Sequence, residues 1–257
     1  MSSTGRNRLV RRGLLSAVVG VLVCVMVAAP VSAFVSRRTH VVILPAGASF
    51  GSSTATCPTG QHVLFGGFKN GLEGMRRTAS NRWTVYASLS PLSLSSFVYC
   101  GYGPIASKAT STVEIRYRAD IDQASGSATA RCPAGTVVVA GGFATTPHSV
   151  VYVTGLERVA ADLWRVWAYP HGGTHAALTS IAYCGPGPAP KLVSRTIKNY
   201  VSGPVRATCP AGRQLVFGGA IVKASYGASL GTLRAKNQST WTVGGIGEDM
   251  TALAYCR

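Results

Sequence analysis

Acidic side chains are scarce in this chain. Against 25 Lys and Arg there are only 8 Asp and Glu in 257 residues, and charged residues of both signs make up 13%, about half the usual quarter. Hydrolysis of a glycosidic bond needs two carboxyl groups held about that bond, so this composition leaves little for a polysaccharide hydrolase to gather. Also missing is any cysteine with a second one two to four residues away, the spacing structural zinc sites use. No segment beyond the first 33 residues carries sustained helical periodicity with caps, which argues against long surface helices. What the chain does have is 30 glycines and an apolar fraction of 47%, a composition suited to strands and turns around a buried core and unlike that of a disordered chain.

The first 33 residues read as an export signal. Arg6, Arg8, Arg11 and Arg12 precede an apolar run from Leu14 to Pro30, and Val31-Ser32-Ala33 offers small residues for cleavage after Ala33. Because the run approaches the ~20 apolar residues that span a bilayer, an uncleaved anchor is the alternative, and only then would the chain be inserted in a membrane. Either way the remainder lies outside the cytoplasm, secreted or associated with a cell wall. Arg11-Arg12-Gly13-Leu14-Leu15 resembles a twin-arginine signal, a second route beside ordinary secretion. Cys24 lies inside the apolar run and leaves with it. Once the signal is gone, 21 Lys and Arg against 8 acids leave a net charge of +13. Outside a cell such a cation meets wall polymers, acidic polysaccharides or lipid headgroups. The basic residues are scattered, so no specific nucleic-acid partner is expected.

Self-similarity organises the rest. Three stretches align without a gap: Ala55-Thr56-Cys57-Pro58-Thr59-Gly60, Ala130-Arg131-Cys132-Pro133-Ala134-Gly135 and Ala207-Thr208-Cys209-Pro210-Ala211-Gly212, their cysteines 75 and 77 residues apart. Each leads into an apolar strand ending in two glycines, Gly66-Gly67, Gly141-Gly142 and Gly218-Gly219. A tryptophan strand with period-two alternation follows, at Trp83, Trp164 and Trp241. Eight residues before each tryptophan stands an apolar residue, Met75, Leu156 or Leu233. Every copy closes on an aromatic and a cysteine: Tyr99-Cys100, Tyr183-Cys184 and Tyr255-Cys256. The copies span residues 36 to 103, 104 to 186 and 187 to 257, with turn-rich joints at Gly101 to Pro104 and Gly185 to Pro190. A further strand precedes each first cysteine, clearest in Thr112 to Tyr117. An all-β fold of three pseudo-equivalent repeats is expected.

Six cysteines remain after processing, and six allow fifteen pairings. Two arrangements treat the copies alike: pairing within each copy, or linking each copy's second cysteine to the first cysteine of the next. The first is preferred, joining Cys57 to Cys100, Cys132 to Cys184 and Cys209 to Cys256. Each loop should stabilise the fold by about 4 kcal/mol in the chain-entropy model. An exported protein keeps such thiols oxidised.

Candidate chemistry is thin. Gly47-Ala48-Ser49-Phe50-Gly51 matches the G-x-S-x-G nucleophile pattern, but nothing helical follows it and the second copy lacks it. His171 and His175 flank a glycine-rich loop rather than one helix face, so no metal site is expected. Asp120 with Asp122, and Glu248 with Asp249, recur in no other copy and read as solvated acids at turn borders. No catalytic residue and no cofactor are assigned. The recurring tryptophans and tyrosines are expected to form the core of each unit against the disulfide. Aromatics that the repeat does not require, Trp167, Tyr169 and Tyr152, are the candidates for stacking on sugar rings.

The pattern Cys-Pro-x-Gly, apolar strand, Gly-Gly-Phe, repeated three times with a later closing cysteine, resembles the vitelline membrane outer layer protein family. Cys132-Pro133-Ala134-Gly135 through Gly141-Gly142-Phe143 carries the likeness best. That resemblance implies a β-prism, three sheets about a pseudo-threefold axis enclosing one core, and a sugar-binding or extracellular-coat role. The copies here are longer than that family's, and Ala220 stands where the others have Phe68 and Phe143. The chain also looks like uncharacterised repeat proteins secreted by actinobacteria, which fits its Ala, Gly, Val and Arg bias. Three small tandem β-sandwiches are the structural alternative. The expected function is a non-enzymatic binding protein for a wall polymer or polysaccharide, with three equivalent surfaces that give avidity. A structural coat protein without a discrete ligand and a wall-polysaccharide hydrolase are its rivals.

Overall fold

The computed structural model describes residues 34–45, 48, 50–70, 73–88, 93–116, 126–146, 151–170, 175–199, 203–223 and 228–257. The export signal, Gly47, Ser49, Tyr117, Asp120, Asp122 and His171 lie outside the described residues. Among the described residues each copy supplies six strands. The first has β1 (Ser36–Ile43), β2 (Phe50–Thr56), β3 (His62–Lys69), β4 (Gly74–Ala79), β5 (Arg82–Ser88) and β6 (Ser93–Gly101). The second has β7 (Ser107–Arg116), β8 (Gly126–Arg131), β9 (Val137–Thr145), β10 (Val151–Ala160), β11 (Leu163–Pro170) and β12 (His175–Gly185). The third has β13 (Lys191–Ile197), β14 (Val205–Thr208), β15 (Leu215–Val222), β16 (Ser229–Ala235), β17 (Thr240–Ile246) and β18 (Met250–Cys256).

The Cys-Pro-x-Gly motif is a turn. Pro58, Pro133 and Pro210 each accept a hydrogen bond from the N–H three residues on, at 3.0–3.1 Å. Gly60, Gly135 and Gly212 take φ of 80°, 78° and 75° in those turns. A Cβ there would meet no atom within 4 Å, so the backbone conformation, not crowding, demands glycine.

Among the described residues these strands form three antiparallel sheets of six, and each is shared between two copies. Their orders are β1-β6-β3-β16-β17-β14, β2-β5-β4-β9-β12-β7 and β13-β18-β15-β10-β11-β8. Every copy therefore gives its first, third and sixth strands to one sheet and its second, fourth and fifth to another. The seams between copies are short: Phe68 and Lys69 face Leu233 and Thr232, Phe143 and Ala144 face Met75 and Gly74, and Ala220 and Ile221 face Leu156 and Gly155. Cysteines pair within each copy, Cys57 to Cys100, Cys132 to Cys184 and Cys209 to Cys256. In each pair one cysteine follows a strand of one sheet and the other lies in a strand of the next.

The glycine pair is explained by what passes over it. A Cβ on Gly66, Gly141 or Gly218 would lie within about 2.2 Å of the indole of Trp83, Trp164 or Trp241, respectively. The second glycine approaches the neighbouring copy: a Cβ on Gly67, Gly142 or Gly219 would meet the carbonyl oxygen of Leu233, Met75 or Leu156 at 2.1–2.5 Å. One glycine thus admits the tryptophan and the next lets two copies close their seam. All three tryptophans are fully buried, and Trp164 and Trp241 donate Nε1–H to Gly142 and Gly219 carbonyls at 3.2 and 2.9 Å. Phe68 and Phe143 meet edge to face at 6.4 Å; the third copy has the small Ala220 at the equivalent position.

Past each seam, where strand pairing stops, a tyrosine hydroxyl takes over. Tyr183 accepts the Arg77 N–H at 2.6 Å, Tyr255 that of Arg158 at 2.8 Å, and Tyr99 that of Ala235 at 2.7 Å. Tyr99 also donates to the Ala235 carbonyl at 3.1 Å. The ring of contacts runs second copy to first, third to second, first to third. Guanidinium groups of Arg77 and Arg158 cover the Tyr183 and Tyr255 rings at 4.8 and 4.7 Å. At the third corner Ala235 has no such group; Phe34 packs edge-on against Tyr99 at 5.0 Å instead. Burial pushes the Tyr183 and Tyr255 hydroxyls up to about 12 and Tyr99 higher still.

Candidate functional site

Alternation along β11 turns Trp164, Val166 and Ala168 inward and Arg165, Trp167 and Tyr169 to the opposite face. Register with β10 sets Tyr152 opposite Tyr169, Gly155 opposite Trp167 and Glu157 opposite Arg165. The three aromatics singled out from the sequence therefore share one face of one sheet. Glu157 organises it: a single oxygen, Oε1, accepts from Arg165 Nη2 at 2.7 Å, Arg165 Nε at 3.1 Å and Trp167 Nε1 at 2.9 Å. Arg165 in turn lies 4.3 Å over the Trp167 ring, and the indole crosses Gly155, where a Cβ would sit 2.6 Å from Cδ1.

This face is largely engaged with itself. Tyr169 is buried, at 7% exposure, and donates its hydroxyl to the Ala228 carbonyl of the third copy at 2.9 Å. Its ring stands 5.2 Å from that of Tyr152 at 37°. A buried ring offers no stacking platform, and Trp167 has its N–H and one face occupied. Of the three, Trp167 and Tyr152 keep partial exposure.

Sequence reasoning missed Glu157 and Arg165, the residues that hold the cluster together. The repeat alignment carried the signal: Glu157 follows the apolar landmark Leu156, as Arg76 follows Met75 and Arg234 follows Leu233. Three residues beyond each tryptophan stand Tyr86, Trp167 and Gly244. In the first copy Arg76 lies 4.7 Å over Tyr86, a smaller version of the same stack.

Other candidates stay apart. Glu248 pairs with Lys223 at 3.7 Å while Asp249 Oδ1 accepts from the Asn199 N–H at 3.2 Å, both at an exposed turn. His175 opens β12 opposite Arg116. Ser53 Oγ is 3.2 Å from His40 Nδ1, but Ser53 is fully buried and donates to the His40 carbonyl at 2.9 Å, so no substrate carbonyl can reach it. Among the described residues no three His, Cys, Asp or Glu gather as metal ligands, and no helix is long and apolar enough to cross a membrane. No protein-family model matches the chain, and no curated protein matches it either.

Proposed function

We propose that this is an exported, non-enzymatic structural protein of a cell surface or wall, whose repeat serves to build one rigid body. In this reading the fold is a β-prism, as the resemblance to the vitelline membrane outer layer family implies, rather than three tandem sandwiches. Its support is that, among the described residues, every sheet is shared between two copies and no copy has a sheet of its own. The observation that carries the functional reading is where the recurring residues are spent. Tryptophans, paired glycines, closing tyrosines and cysteines all go into seams and corners, and the non-recurring aromatics of the second copy go into contacts with Glu157 and Ala228. Fractionation of producing cells tests it. A structural component stays with the wall or surface fraction through 1 M salt, whereas recovery as free soluble protein would refute the role.

A second reading is charge-driven contact with an anionic polymer. Lys69, Arg206 and Arg234 are exposed and engage no acid among the described residues, which favours it. Binding of this kind weakens with salt, because exposed charges are screened beyond about 8 Å at physiological ionic strength. Release from isolated walls between 0.1 and 1 M salt is the expected sign.

A further inference from the structure

The outer faces of the three copies differ at one equivalent place, and the difference leaves a groove. In the second copy Trp167 fills it, clasped by Arg165 and Glu157; in the first, Tyr86 fills it beneath Arg76. The third copy has Gly244 at that position and Thr232 opposite. A groove of about 500 Å³ opens there, lined among others by Asn70, Ser229, Thr232, Arg234, Thr242 and Gly244. Among the described residues a Cβ on Gly244 would meet nothing closer than Thr232 at 3.7 Å, so they leave room there for a side chain.

One polar group of this groove also lacks, among the described residues, the partners its equivalent has. Thr84, the counterpart of Thr242, bonds through Oγ1 to Thr54 at 2.9 Å and to Thr78 at 2.8 Å. Arg206 and Lys236 replace those two threonines in the third copy, and Thr242, only 5% exposed, has no hydrogen-bond partner for Oγ1 among the described residues. An unpaired buried hydroxyl is costly and marks a place where a ligand group would be accepted. Lys69, Arg206 and Arg234 neighbour the groove through strand register, facing Thr232, Thr242 and Thr242 in turn.

We propose that this groove binds one acidic sugar residue, a pyranose ring bearing a carboxylate. The ring takes the place that Trp167 and Tyr86 take in the other copies, its hydroxyls meet Thr232, Thr242 and Ser229, and its carboxylate meets Arg234, which occupies the position of the ring-covering Arg76. A hydroxyl-lined wall favours a sugar over an aromatic acid. The site goes beyond the structural role, since a wall protein keeps its place with or without it.

Titration of the oxidised protein with trigalacturonic acid, followed by calorimetry and amide chemical shifts, tests the assignment. Saturable binding is expected, with shifts centred on Thr232, Thr242 and Gly244 and at least tenfold weaker affinity for the methyl ester. Gly244→Trp, which restores the residue of the second copy, should weaken binding at least tenfold. Arg234→Gln on the exposed surface and the isosteric Thr242→Val should each weaken it several-fold, and they keep the test decisive should the tryptophan variant misfold. Equal affinity in wild type and variants, equal affinity for the ester, absence of saturable binding, or binding of 4-hydroxybenzoate alone would each overturn the proposal. Wall retention measured on Arg234→Gln separates the two claims: unchanged retention with lost sugar binding leaves the structural role standing.

Discussion

Removing one hydroxyl group, in Tyr255→Phe, should reveal how the copies are held together. The ring stays stacked on Phe217 at 4.3 Å, so packing is preserved, while the Arg158 N–H loses its acceptor at 2.8 Å in a site where Tyr255 is fully buried. A buried donor left unpaired costs about 1–3 kcal/mol. At roughly 2 kcal/mol the Tm falls by about 4–8 °C for a domain of this size. The alkaline limb gives a second, independent readout. Folding raises the Tyr255 pKa from its ordinary 10.0 to about 12, so the neutral form is favoured in the native state. The corresponding stability is fully present below pH 10 and is lost as pH rises through 12. Two units correspond to roughly 3 kcal/mol. Denaturant unfolding at intervals from pH 8 to 12, with disulfides intact, should show wild type losing stability more steeply than Tyr255→Phe. An unchanged neutral-pH Tm, or identical alkaline slopes, would refute the claim that this hydroxyl joins two copies.

Other parts of the seam and core respond differently. Gly219→Ala drives a Cβ against the Leu156 carbonyl, backbone against backbone, and should cost at least the roughly 1–3 kcal/mol of ordinary overpacking, measured by chemical denaturation. The double change Cys209→Ser with Cys256→Ser opens a loop of 47 residues and should remove about 4 kcal/mol; a calorimetric scan reads it. Burial, aided by Arg77, holds the His62 pKa below its usual 6.5. The neutral ring is therefore favoured in the fold, so stability contributed by His62 is present above pH 6.5 and lost as pH falls through the lowered value. His62→Gln should flatten that acid limb in urea unfolding between pH 7 and 4.

Strands and turns were legible because their causes are local. Period-two alternation at Trp83-Thr84-Val85 and its counterparts marks a strand that turns its tryptophan to the core, and Cys-Pro-x-Gly marks a turn that needs glycine at φ near 80°. Of the candidate site, the shared face of Tyr152, Trp167 and Tyr169 was half visible: their departure from the repeat drew attention to them. Their engagement with Glu157 and Ala228 was not, because those partners lie on another strand and in another copy.

The amino-acid sequence by itself determined that there are three equivalent units, that each is β, and that cysteines recur in a pattern compatible with one bridge per unit. Only the tertiary structure decided which strands pair. Backbone hydrogen bonds are the same whether β3 meets a strand of its own copy or β16 of another, so no local pattern distinguishes them. The choice is made by close approach and long-range contact: Gly67 against Leu233, Tyr99 on Ala235, and their counterparts around the ring. For the same reason the groove beside Gly244 exists only in three dimensions, where a glycine in one copy can be compared with the tryptophan that fills its equivalent place in another.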